Sequence, residues 1–141
     1  MAGNIITQLS IFVNNEPGRL AQVVAVLKEC GINMLAFNLA ESTEFGILRT
    51  IVQDPEGSFE KLRNKGVIVK KTDVIGIMIE DTPGSLMGAV DLFAAEGVNI
   101  EYGYAYTGRQ KSAFFIRVDD SEKAIALLDR EGIQTISPEE I

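Results

Sequence analysis

Two short strings hold most of the chemical promise of this sequence: Asn15-Glu16-Pro17-Gly18-Arg19-Leu20 and, 66 positions on, Asp81-Thr82-Pro83-Gly84-Ser85-Leu86. Each leads into a helix-length apolar stretch that ends in Gly31-Ile32-Asn33 or Gly97-Val98-Asn99. A Pro-Gly pair at the threshold of a helix has two readings. In the first it only shapes a tight turn, since proline fixes φ and gives up an N–H that the first helical turn leaves unpaired anyway. In the second, glycine lets a ligand approach, and the N–H groups from Gly18 to Leu20 hold a carboxylate at the positive end of the helix dipole. Asn33 lies one helix length from its own turn, so it would meet the turn of an adjacent copy; on its own it reads as a turn residue. The strings differ at their polar positions. Asp81 stands where the first string has Asn15, and Arg19 where the second has Ser85. Two such sites are expected to be inequivalent.

Other chemistries have little to work with. The 141 residues include no histidine and one cysteine, so no Ser/His/Asp or Cys/His nucleophile, no CxxC pair and no imidazole-rich metal set can be assembled. No glycine string of the phosphate-cradling kind follows a strand. Carboxylate clusters such as Asp54-Pro55-Glu56-Gly57 read as helix starts, and neither a cofactor nor a metal is expected. Thirteen basic against twenty acidic residues give a net charge of −7, which repels phosphate backbones and anionic lipid. The short basic clusters Arg63–Lys65 and Lys70-Lys71 read as solvated surface. Cys30, ending an apolar helical pattern, reads as a small hydrophobe, and a single thiol makes the reducing cytoplasm the expected compartment. The opening residues have neither the basic start of a leader nor the length of a membrane span.

The elements that must position the two strings also come twice. At an ungapped offset of 66, Ile11, Pro17, Gly18, Leu20, Val24, Gly31, Asn33, Val52, Asp54, Leu62 and Gly66 recur as identical residues. The sequence therefore predicts two copies of one unit, 1–72 and 73–141. In each, a strand (5–13, 74–80) precedes a helix (18–30, 84–96) in which Leu20, Val23, Val24 and Leu27 share helical spacing. Gly31 stops the first helix. Two strands follow, over 32–41 and 45–54 in one copy and 98–107 and 111–119 in the other. Asp54 then caps a second helix that turns Phe59 and Leu62 inward, and a last strand closes the unit (67–71, 133–137). The order βαββαβ predicts an α+β fold: two ferredoxin-like units in tandem, with antiparallel sheets and helices on one face. Both faces of the middle strands carry apolar groups, which implies that the helix-free face is partly covered, by the other copy or by another subunit. Tyr102, Tyr104 and Tyr106 share one strand face. They either continue the face of Val98 and Ile100 onto the helices or line a pocket.

The stretches NNEPGRLAQVVAVLKECGINM and EDTPGSLMGAVDLFAAEGVNI resemble the opening of the ACT domain, the small amino-acid-sensing module of enzymes of amino-acid metabolism. The resemblance spans both repeats. It implies a ligand, commonly an amino acid, held where two ACT units meet. The loop contacts it implies are Asn15, Pro17, Gly18, Arg19 and Leu20 in one copy and Asp81, Pro83, Gly84, Ser85 and Leu86 in the other, with Asn33 and Asn99 at the second strands. The expected function is a non-catalytic regulatory protein that binds an amino acid, with a lean to aromatic ones or histidine, and signals to a separate metabolic enzyme, as a homo-oligomer without nucleic-acid or membrane partners. The alternative is an interaction module that assembles an enzyme complex through its apolar sheet face without sensing a ligand. A small hydrolase of the acylphosphatase sort fits least, because no phosphate-cradling loop with its arginine is evident.

Overall fold

Every residue of positive φ among those described is a glycine, and the glycines fall in three pairs at the 66-residue offset: Gly18 and Gly84, Gly31 and Gly97, Gly66 and Gly132. The computed structural model, which describes residues 4–41, 45–80, 82–107 and 112–141, thus repeats its backbone punctuation as the sequence repeats its letters. Its elements are β1 (Ile5–Asn14), α1 (Arg19–Glu29), β2 (Ala36–Glu41), β3 (Phe45–Ile51), α2 (Pro55–Asn64), β4 (Val69–Ile79), α3 (Met87–Glu96), β5 (Ile100–Thr107), β6 (Ser112–Val118) and α4 (Ser121–Arg130). The chain divides into two units, Thr7–Thr72 and a second that joins Asp73–Ile141 with the opening residues through Ile6.

In the Thr7–Thr72 unit the sheet order is β2-β3-β1-β4. β3 pairs antiparallel with both β1 and β2, and Phe12 N–H reaches Ile68 O at 2.9 Å on the other side of β1. Leu9, Ile11, Val13 and Leu48 point from the strands to one face, where Leu27 of α1 and Leu62 of α2 close the core. This is the ferredoxin-like arrangement expected of the βαββαβ order. The inward face of α1 is narrower than the run of helically spaced apolar residues. Leu27 is buried with Val23 and Val26 packed beside it, whereas Leu20 and Val24 are 37% and 43% exposed. A helix on a sheet buries one stripe, and here Leu20 and Val24 fall outside it. On the opposite face Gln8, Ser10, Ala36 and Ile51 are also buried. The polar groups there are satisfied by a string in which Gln8 Nε2–H donates to Ser10 Oγ at 2.9 Å, with Thr72 Oγ1 at 3.1 Å from the same hydroxyl.

The other unit repeats the order as β5-β6-β4, with residues 134–136 beyond β4. Met78 N–H donates to Gln134 O at 2.9 Å and Ile136 N–H to Gly76 O at 2.8 Å, so the last strand expected over 133–137 is reduced to a short bridge. Ile75, Ile77, Ile116 and Val118 meet Phe93 of α3 and Ile125 and Leu128 of α4 in the core.

Several boundaries differ from expectation, and the strands expected over 67–71 and 74–80 run on as the single strand β4. The strand expected from Ile32 begins at Ala36, and the strand expected to reach Asp54 ends at Ile51. The third helix begins at Met87 instead of Gly84: Gly88 stands where the first copy has Gln22, and glycine weakens a first helical turn. A larger correction concerns the tyrosines. The β5/β6 ladder pairs Ile100 with Val118 and Tyr102 with Arg117, a bulge in which β5 advances two residues for one. Ile100 therefore packs on the helix-side core, while Tyr102, Tyr104 and Tyr106 turn to the face of Ala113 and Phe115. They do not extend the Val98 and Ile100 face. Tyr104 is buried there, its ring centroid 5.9 Å from that of Phe115.

Candidate functional site

The Pro-Gly strings form β-turns just ahead of the helices. Arg19 N–H bonds Glu16 O at 3.2 Å, and Gly18 has φ 85° and ψ −11°. These are the marks of a type II turn, which wants proline second and a residue of positive φ third. Ser85 N–H repeats the bond to Thr82 O at 3.3 Å, with Gly84 at φ 77°. Proline thus sits before the helix cap, not within the first helical turn as the sequence suggested. Its role is to preset the second turn position.

What the turns leave behind is a helix start with no side-chain cap. Gly18 caps α1 and Leu86 caps α3 without a side-chain bond, and neither first turn holds an acid. The other two helices are closed. Asp54 accepts from Gly57 N–H and Asp120 from Lys123 N–H, each at 3.1 Å, with Glu56 and Glu122 in the respective first turns. Donors such as the N–H groups of Leu20 and Ala21 are therefore left at the positive end of α1. Arg19 stands over this end, with Nε 3.1 Å from Glu16 Oε2 and Nη1 3.2 Å from Gln22 Oε1.

Within each unit the structure gathers some expected residues and separates others. Asn15, Pro17, Gly18, Arg19 and Leu20 share one exposed turn, and Pro83, Gly84, Ser85 and the half-buried Leu86 share the other. Asp81 lies outside the described residues. Asn33 and Asn99, both exposed, follow the far ends of the helices. Eleven residues of α1 put about 16 Å between Asn33 and its own turn. Asn99 is further tied by its backbone: its N–H donates to Asp119 Oδ1 at 3.0 Å, and Asp119 N–H returns a bond to Asn99 O at 3.2 Å.

A cleft of about 290 Å³ in the Thr7–Thr72 unit was not anticipated. It opens between the end of β1, one side of α1 and the turn from α2 to β4. Val13, Val23, Val26 and Val67 line it, and Asn14, Arg19, Gln22 and Lys65 supply its polar groups. Lys65 Nζ lies 2.7 Å from Glu29 Oε1, and that bond holds the ammonium above the ordinary lysine value of 10.5. The only sequence signal was comparative, since Lys65 and Arg19 have no basic counterpart 66 residues on. Of the other basic cluster residues, Lys71 pairs with Glu56 at 2.8 Å and Arg63 with Glu60 at 4.0 Å. Cys30 is half-buried at the end of α1. Among the described residues no group of three acids and cysteine is disposed to hold a metal, and no helix is long and apolar enough to cross a membrane.

A duplicated βαββ unit with matching sheet order, helix punctuation and open first-helix starts defines a tandem pair of small ferredoxin-like domains. The sequence matches the ACT domain pair over residues 4–141, and the chain belongs to that family. A solved structure of a protein from Bacteroides thetaiotaomicron is 36% identical and superposes with a TM-score of 0.90, covering 97% of this chain and 95% of that one. The ligand-free regulatory subunit of aspartate kinase from Thermus thermophilus shares the fold at 16% identity and a TM-score of 0.59, covering 91% and 94% of the two chains. The corresponding subunit from Thermus flavus does so at 20% and 0.58, over 87% and 88%. No functionally curated protein matches the sequence.

Proposed function

We propose that this chain is a non-catalytic regulatory protein that binds a free amino acid and reports it to a separate metabolic enzyme. The observation that carries the reading is the contrast between helix starts: α1 and α3 leave theirs without a side-chain cap behind a Pro-Gly turn, while α2 and α4 close theirs with aspartate. The ligand carboxylate would lie on a Pro-Gly turn, with Arg19 adding a second hold on one of the two. Asn33 and Asn99 would contribute from another ACT unit. Binding would favour one arrangement of units over another, which is all that regulation at a distance requires. That regulatory subunits of aspartate kinase share the fold agrees with this role.

The test is thermal unfolding of extensively dialysed protein with each common amino acid, repeated with Asn33→Ala and Asn99→Ala. A ligand at 100 times its Kd stabilises the native state by about 2.7 kcal/mol, a rise of a few degrees in Tm. One or a few amino acids are expected to raise the transition, and a substitution to cancel the rise. No response to any amino acid at millimolar concentration would sink the reading. The second reading, an interaction module indifferent to amino acids, draws on Phe37 and Leu39, which stand 60% and 51% exposed on β2. It predicts partner capture that Phe37→Ser weakens and amino acids leave unchanged.

A further inference from the structure

The two edge strands carry their bulk in opposite places. In the Thr7–Thr72 unit Phe37 and Leu39 pair across the ladder with Thr50 and with the core residue Leu48, so both stand exposed on the helix side of β2. Leu20 and Val24 of α1 are exposed on the flank away from the cleft that Gln22 and Val26 line, which is the flank toward β2. The four side chains make an apolar ridge. In the other unit the corresponding positions of β5 are Gly103 and Ala105, opposite the core residue Ile116 and Phe114. The half-buried Phe114 ring fills the space beside Gly103, where a Cβ would fall 2.6 Å from Cζ, so this flank is a low apolar floor. Its bulk sits on α3, where Met87, 61% exposed, replaces Ala21 of α1. Charge divides along the same line. Residues 7–72 hold eight basic and seven acidic groups, a net charge of +1, and the rest of the chain holds five and thirteen, a net charge of −8.

We propose that these two flanks bind each other between copies of this chain: the β2 flank of the first unit in one copy packs on the β5 flank of the second unit in another. Phe37 and Leu39 then lie on the floor at Gly103 and Ala105, as an aromatic side chain covers an edge glycine across a strand pair, and Met87 meets the small side chain of Ala21. Pairing of like with like fits worse. Ridge on ridge holds the edges apart, floor on floor leaves a gap that forfeits packing contacts, and two second units oppose −8 with −8. Lys28, one turn beyond Val24, and Asp91, next to Val90, lie exposed by the two flanks and are of opposite sign. The inference goes beyond the amino-acid reading and needs no ligand.

Sedimentation equilibrium of the full chain, dialysed free of amino acids, tests it with two variants at exposed positions. Phe37→Asp disables the ridge and Ala105→Glu the floor, and circular dichroism with Tm checks that each stays folded. The unmodified chain should associate, and each variant alone should do so about tenfold more weakly or worse. Mixed in equal amounts, the two should recover a species of twice the 15.4 kDa chain, because the intact floor of one meets the intact ridge of the other. A monomeric unmodified chain, a variant that associates as well as the unmodified chain, or a mixture no heavier than its components would overturn the proposal. Leu39→Asp and Val90→Glu form a second pair, read in the same way. The amino-acid reading fails by a different measurement, the thermal shift, so either can fall alone.

Discussion

Gly18 shows how much a single residue decides. A Cβ at this position would meet nothing within 4 Å, so the only demand on it is the φ of 85°. Gly18→Ala should therefore cost about 1–2 kcal/mol through backbone conformation alone, read as a lower denaturant midpoint at unchanged slope. Lys65 supports a different prediction. Its folded-state value is raised by Glu29, so the stabilisation is fully present below the unfolded value of 10.5 and is lost as pH rises through the folded one. The difference in Tm between the protein and its Glu29→Gln variant should be constant from about pH 6 to about pH 9 and close in stronger base. With no histidine in the chain, no imidazole adds a transition between those limits.

Among the elements, the edge strands show what sequence patterns convey and what they omit. The repeat, the helix stops at Gly31 and the Asp54 cap could be read from the letters because each is a local matter of backbone conformation or a bond three residues away. The tyrosine face could not. Period-two spacing placed Tyr102, Tyr104 and Tyr106 together, but the bulge before Tyr102 decides which way they point, and it depends on β6. The inner face of α1 could not be delimited for a related reason: Leu20 has the right spacing, and only tertiary packing leaves it out. Gly103 gives the element a test. A Cβ there would fall 2.6 Å from Phe114 Cζ and 3.0 Å from Ile116 Cγ2. Gly103→Ala should lower stability by about 1–3 kcal/mol. Phe114→Leu, which restores the residue type of Leu48 in the other copy, should recover much of that loss in a double-mutant cycle by chemical denaturation.

For the molecule as a whole, family and fold were accessible because duplication doubled every weak signal, and the eleven residues that recur at the 66-residue offset outweigh any one motif. The binding geometry was less accessible. Pro17 and Asn33 recur as a pair in the sequence, yet α1 holds them at opposite ends, so the proposed site would draw them from two different units. Self-association is expected on this ground, and the exposed Phe37 and Leu39 offer a surface for it. Sedimentation should report a species heavier than the 15.4 kDa chain, with Phe37→Asp shifting it toward monomer.

Residues 36–40 read Ala-Phe-Asn-Leu-Ala, and their counterparts 102–106 read Tyr-Gly-Tyr-Ala-Tyr, in the same register against β3 and β6. Bulk that faces the helix side in one copy faces the other side in its twin. Two halves that began as duplicates thus present opposite reliefs along corresponding edges, and a surface shaped to fit one would be refused by the other. Divergence has given a repetitive chain a sense of direction: whatever docks on an edge can tell the first half from the second.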